Sequence, residues 1–243
     1  MPEILYEDNH IIAVNKRSSD LSQGDKSGDI SLDNEVKKYL AAKYNKPGEV
    51  FLGVVHRLDR PVSGVILYAR TSKALSRLNE MFRTSLVKKI YLAIVKERPP
   101  EDMGTLIHFL KRNEKQNKTY VYDTEVRGSK KASMSYRIAG RSDRFYLLEI
   151  ELHSGRHHQI RAQLAAIGCP VKGDLKYGYN RSNENGGISL LAKSIEFIHP
   201  VRKENIVITA PLPGEDIWRM FNYGLKENEP PPGSPSSGMN MKA

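Results

Sequence analysis

Residues 53–70 read GVVHRLDRPVSGVILYAR. Two apolar, β-branched-rich runs flank a polar segment in which Asp59 stands between Arg57 and Arg60, with His56 just upstream. Residues 50–55 and the run VILYA are predicted as strands, and Pro61 and Gly64 mark 60–64 as a turn between them. A carboxylate on a loop at the rim of a buried sheet sits where catalytic groups tend to be held. Nearby positive charge favours its ionised form. An ionised aspartate can act as a nucleophile or a general base. The alternative from spacing alone is a loop salt bridge from Asp59 to Arg57 or Arg60.

Working outward, ILYEDNHIIAVNK predicts two short strands about a polar turn at residues 7–10, followed by the loop SSDLSQGDKSGD. SLDNEVKKYLAAKY predicts a helix, with Leu32, Val36 and Leu40 at i+4 spacing and Ser31 as its cap. TSKALSRLNEMF predicts a second helix with Leu75, Leu78 and Phe82 on one stripe, and KKIYLAIV a buried strand. SMSYRIA and FYLLEIEL alternate with period two, as half-buried antiparallel strands do. SGRHHQIRAQLAAIG predicts a third helix: Ile160, Leu164 and Ile167 form its apolar row, Ser154 caps it, and Gly168 then Pro170 stop it. ISLLAKSIEFI and IVITA predict late strands, and EDIWRMF a short closing helix. Strands outnumber helices and mostly do not alternate with them. The expected class is α+β, with a large mixed, mostly antiparallel sheet and flanking helices, rather than a doubly wound fold. The Pro-, Gly- and Ser-rich end predicts a disordered tail over residues 225–243 and a folded unit over 1–224.

A chain of 243 residues can bury a full core. Its net charge of +10 favours polyanionic partners, chiefly nucleic acid or an anionic surface. Cys169 is the single cysteine, so no internal disulfide can form, which fits a reducing compartment. MPEILYEDNH carries early acidic residues and no long apolar stretch, and no run approaches a membrane span, so a cytoplasmic protein without membrane contact is expected. GDKSGD lacks the full phosphate-loop pattern, and no dinucleotide fingerprint is present.

The segment HSGRHHQIR, residues 153–161, carries the second concentration of chemistry. A helix starting near Ser154–Arg156 would present backbone N–H groups and Arg156 together, a ready phosphate site. His158 and Arg161 are three apart and share a helix face. Arg161 flanks the apolar row, and an arginine at a buried edge needs a carboxylate; Asp59 is a candidate. The alternative is a solvated basic helix start. His153 and His157 have no carboxylate in their segment, so a zinc site is not expected. Tyr91 lies mid-strand, either as a core residue with a bonded hydroxyl or as a stacking partner for a base.

Together these segments resemble the RluA-type pseudouridine synthases. HRLDRPVSG is similar to that family's aspartate motif, usually His-Arg-Leu-Asp-x-x-Thr-Ser-Gly. KKIYLAIV resembles its second motif, SGRHHQIRAQLAAIGCPVKGDLKYG its third, LLAKSIEFIHP a later element and ILYEDNHIIAVNK the usual opening, in order over residues 3–222. The resemblance implies a sheet with a central active-site cleft. It implies Asp59 as the catalytic aspartate, Tyr91 against the target base and Arg161 paired with Asp59, in line with the reading of Arg161 above. Arg57 is similar to a family arginine that rearranges RNA near the flipped base. His56, Arg156, His158, Gln159, Lys88 and Lys89 join it as substrate-binding candidates, with Lys111, Lys130 and Lys131 as further phosphate contacts. The implied partner is ribosomal or transfer RNA, with no metal and no organic cofactor, for a protein acting as a monomer. Val62 stands where Thr is usual, Arg17 follows Lys16 where Pro is common, and His-Ser-Gly replaces Thr-Gly. The resemblance starts directly with catalytic-domain sequence, so the small N-terminal RNA-binding domain of many relatives is expected to be missing.

Pseudouridine formation breaks the N1–C1′ bond of uridine, turns the uracil and rejoins it through C5. A carboxylate can act at C1′, at C6 of the ring or on a proton, and the sequence leaves these routes open. Two other classes stand beside this one. A binding module without catalysis would not need Asp59, Tyr91 and Arg161 together, and a hydrolase built on Asp59 lacks a second acid in the same motifs.

Overall fold

The structure, a computed structural model, describes residues 1–24 and 28–221. The tail expected from residue 225 lies outside the described residues. In chain order the elements are β1 (Glu3–Glu7), β2 (Ile11–Lys16), α1 (Leu32–Lys43), β3 (Gly53–Val54), β4 (Ser63–Ala69), α2 (Ser72–Arg83), β5 (Lys88–Val95), β6 (Met103–Asn113) and β7 (Lys118–Tyr122). There follow β8 (Lys130–Arg141), β9 (Tyr146–Leu152), α3 (Gln159–Ala166), a 3-10 turn (Leu175–Tyr177), β10 (Leu190–Ile198), β11 (Asn205–Thr209) and α4 (Asp216–Arg219). Among the described residues, eleven strands make one sheet in the order β1-β2-β4-β10-β5-β9-β8-β6-β7, with β3 added to β4 and β11 to β10. The pairings are antiparallel except β4 with β10, where Ser63 faces Leu191 and Gly64 faces Ala192. The fold is α+β.

The central strands read as unbroken apolar runs because both of their faces are covered. Strand alternation sends Ile12, Val14, Ile66, Tyr68, Ala93 and Val95 to one face, where Val36 and Leu40 of α1 and Ile160 and Leu164 of α3 meet them. Ile11, Ala13, Val65, Leu67, Leu92 and Ile94 point the other way, onto Ala74 and Leu78 of α2 and Trp218 of α4. Tyr68, Ile66 and Leu67 are fully buried; the two aliphatic side chains each contribute about 1.5–3 kcal/mol by leaving water.

The parallel pairing demands a glycine. Gly64 has φ +114, and a Cβ there would lie 2.2 Å from the carbonyl oxygen of Ala192. No side chain fits between the two strands at that point.

Several local expectations are corrected. The strand expected over 50–55 shrinks to β3, because His56 Nε2 accepts the Leu67 N–H at 3.0 Å where the ladder would have continued. Ser31 is the residue before α1, but its hydroxyl donates to Asp33 instead of capping. The third helix starts at Gln159, not near Ser154, because His158 adopts the left-handed conformation, φ 51. The β6–β7 hairpin was not foreseen: much of it is exposed, so its sequence carries little apolar patterning.

Candidate active site

The 53–70 segment sets the site. Asp59 sits in the loop between β3 and β4, and that loop is pinned from both sides. Leu58 is buried, and its N–H and C=O both bond the Ser22 hydroxyl, at 3.1 and 2.7 Å. Lys16, the last residue of β2, is fully buried and donates to the carbonyls of Arg17, Arg60 and Val62 at 3.0, 2.9 and 2.7 Å. Burial pushes this lysine down to about 8, while Asp20 and Asp59 favour its charge. Val62 is packed in the core, so the position where Thr is usual is here an apolar contact.

Arg161, from α3, reaches Asp59: Nη1 donates to Oδ2 at 3.1 Å. The same guanidinium is held more firmly from the other side. Nε and Nη2 donate to the two oxygens of Asp174 at 2.6 and 2.9 Å, a forked pair. Burial opposes the charge of Arg161, but the two carboxylates prevail and raise its hold on the proton. Asp174 and Tyr177, whose ring lies 5.1 Å under the Arg161 guanidinium, were not singled out in the sequence. They lie on a turn fixed by the chain that follows α3: Lys172 N–H donates to the Ile94 carbonyl of β5 at 2.8 Å. The signal was GDLKYG, a carboxylate and a tyrosine in a Gly-bounded turn.

Asp59 opens on a cleft of about 570 Å³, lined also by Tyr91, His158, Leu190, His56 and Lys89. Tyr91 is half-buried, and burial followed by the Asp59 charge pushes its hydroxyl up. The loop ion pair weighed as an alternative for Asp59 does not form. Arg60 instead pairs with Asp29 at 3.0 Å and donates to the Ser19 carbonyl, and Arg57 is exposed at the cleft.

The other candidates divide. His56 lines the cleft but is spent on the backbone: with Nε2 accepting from Leu67 and its ring stacked on Phe82 at 4.9 Å, burial pushes it down to about 4. His158 is buried, with Nε2 3.5 Å from Asp59 Oδ2. Gln159 is buried and its amide is committed to the loop before α3: Oε1 accepts from Ser154 Oγ and Arg156 N, and Nε2 donates to the Ser133 carbonyl. The outward phosphate cradle expected near Ser154–Arg156 is therefore absent there, since α3 begins later and these groups bond one another. Arg156 is exposed at the rim, its Nε donating to the Lys131 carbonyl. Lys89 faces the cleft and is only 9% exposed, and burial pushes it down. Lys88 falls on the opposite face of β5, with Leu92 and Ile94, because strand neighbours alternate. His153 and His157 diverge: His153 bonds Ser135 and His157 bonds Thr119. Among the described residues no group of three or more His, Cys, Asp or Glu could hold a metal ion, and no helix is long and apolar enough to cross a membrane.

A family model described as RNA pseudouridylate synthase matches residues 10–166, which contain Asp59, Tyr91 and Arg161. The chain belongs to that family. It is 35% identical over 218 residues to the ribosomal large subunit pseudouridine synthase C of Buchnera aphidicola subsp. Baizongia pistaciae, covering 86% of this chain and 66% of that one. It is 32% identical to the enzyme of the same name in Rickettsia prowazekii, covering 88% and 65%, so the chain spans just under two thirds of these relatives. An uncharacterized RNA pseudouridine synthase of Bacillus subtilis is 32% identical, with coverage of 90% and 75%. Among solved structures, human RNA Pseudouridylate Synthase Domain Containing 4 superposes with a TM-score of 0.74 at 21% identity, over 89% of this chain and 90% of that one. At that identity the likeness is one of fold.

Proposed function

We propose that the protein isomerises specific uridines in structured RNA to pseudouridine, with Asp59 as the catalytic carboxylate. The observation that carries this reading is the chain Asp174–Arg161–Asp59: a buried carboxylate fixes an arginine, and the arginine holds a second, part-exposed carboxylate at the mouth of a cleft. The names of the similar bacterial proteins favour ribosomal RNA as the substrate, with transfer RNA as the other structured candidate.

The reaction balances without a co-reactant. The N1–C1′ bond breaks, C5 bonds to C1′, the C5 proton leaves and N1 gains one. Asp59 is the group that meets C1′, C6 or that proton. Tyr91 lies along the base once it has left its stack, a move that costs a few kcal/mol and is offset by pocket contacts. Arg57, Arg83, Arg112 and Arg156, all exposed on the cleft, are proposed to take RNA phosphates, with Lys111, Lys130 and Lys131 further along the surface. Residues 1–224 are proposed as the catalytic unit, acting as a monomer in the cytoplasm.

The test is a pseudouridine map. RNA from cells with and without the protein is treated with a carbodiimide that marks pseudouridine and read by primer extension. A mark lost with the protein, restored by the wild type but not by Asp59→Asn, supports the reading and names the site. Restoration by Asp59→Asn sinks the catalytic assignment. In a purified reaction, release of free base would point to hydrolysis instead.

A further inference from the structure

Two nitrogens approach one oxygen of Asp59. Arg161 Nη1 donates to Oδ2 at 3.1 Å, and His158 Nε2 lies 3.5 Å from the same atom. The other oxygen, Oδ1, makes no hydrogen bond among the described residues. Which proton His158 offers follows from a chain of contacts behind it. The backbone N–H of Thr119 donates to the Tyr177 hydroxyl oxygen at 2.8 Å. A backbone N–H can only donate, so that contact occupies a lone pair of Tyr177. The hydroxyl proton of this buried tyrosine is then left to His158 Nδ1, 2.9 Å away. A neutral imidazole that accepts at Nδ1 must carry its hydrogen on Nε2. Nε2 is the atom that faces Asp59.

We propose that His158, held neutral and in its Nε2–H form by the Tyr177 hydroxyl, is a positioning residue that shares Oδ2 of Asp59 with Arg161 and so leaves Oδ1 as the oxygen that meets the substrate. This deepens the reading of Asp59 as the catalytic carboxylate and rests on it. The backbone supports the placement. His158 is left-handed at φ 51, an uncommon state for a residue with a side chain, and that turn aims the ring inward at the entrance to α3. The His157 ring stacks on it with centroids 3.7 Å apart and planes 22° apart, which fixes the ring plane. Burial first, then the Arg161 charge, hold His158 far below the ordinary histidine range, so it stays uncharged and keeps its proton. Catalytic contacts of this length tighten when substrate is bound. Tyr177 lies against both donors, with its hydroxyl on His158 and its ring under Arg161, so one side chain sets the two groups that orient Asp59.

The experiment reads the imidazole nitrogens directly. Long-range ¹⁵N–¹H spectra of the ¹⁵N-labelled 243-residue chain resolve its seven histidines, and the set missing in His158→Gln is assigned to His158. That set is expected to show the Nε2–H pattern, unchanged between pH 6 and 8, and to lose it in Tyr177→Phe. An Nδ1–H pattern, or an imidazolium in that range, overturns the proposal. The second arm is kinetic. Gln can place an N–H near the position of Nε2, whereas Asn cannot reach it. His158→Gln is expected to keep kcat within about fivefold, and His158→Asn to lose about ten- to a hundredfold in kcat with KM little changed. Equal kcat in the two variants overturns the role on Asp59. The spectra do not depend on RNA chemistry. A wild type that shows the expected pattern yet isomerises no uridine sinks the proposed function while supporting the histidine geometry.

Discussion

Arg161 serves two carboxylates that live in different surroundings. The Asp174 side chain is 1% exposed and takes both prongs of the guanidinium; that of Asp59 is 25% exposed and takes one. The same cation is thus a structural partner on one side and, on the other, the partner of the carboxylate proposed to be catalytic. A carboxylate shut off from solvent with both oxygens bonded serves as an anchor, while one with an open oxygen beside a cleft can react. The comparison separates what holds the site from what is proposed to act in it.

Four measurements break or sharpen that contrast, the largest effect first. Asp59→Asn is expected to lower isomerisation by about 10²–10⁴-fold or more, while the melting temperature moves by less than about 4 °C, the equivalent of ~1 kcal/mol. A large loss of stability in that variant would make Asp59 an anchor as well. Asp174→Ala leaves a buried arginine with half its partners and is expected to cost about 3–5 kcal/mol in urea unfolding; an unchanged midpoint would show that Asp59 alone satisfies Arg161. Lys16→Met removes the ammonium that ties three carbonyls at the Asp59 loop and is expected to cost about 1–3 kcal/mol, with the proposed activity falling alongside. The adjacent lysines give the smallest and cleanest difference. Lys89→Met is expected to raise KM about tenfold, and Lys88→Met to leave it within about twofold, since only Lys89 faces the cleft; equal effects would remove Lys89 from the site.

Asp59 and Arg161 were legible because each stands out locally: a carboxylate among cations at a strand end, and an arginine beside the apolar row of a helix. Their partners were not. Asp174 and Tyr177 stand in the Gly-bounded stretch GDLKYG, but their meeting with Arg161 shows only when the chain after α3 returns along β5. The start of α3 was misread because Ser154 has the chemistry of a cap, whereas the left-handed turn at His158 is a backbone state that no residue there announces. The strands flanked by helices on both faces were readable from their apolar runs, while the β6–β7 hairpin, polar and half-exposed, hid in the same scan. His56 lines the cleft beside Asp59, and its ring nitrogen has a structural use that proximity did not reveal, closing a gap in the sheet.

The Gly64–Ala192 contact also sets an order of assembly. It joins an early strand to a late one, and the cleft draws its walls from both sides of that seam and from the segments between. Contacts so distant along the chain are costly in loop entropy and form slowly. A nascent or partly refolded chain can hold the β1–β2 hairpin, but it has no cleft until β10 slides in beside β4. Catalytic competence is therefore expected to be the last property to appear during refolding, after secondary structure has recovered.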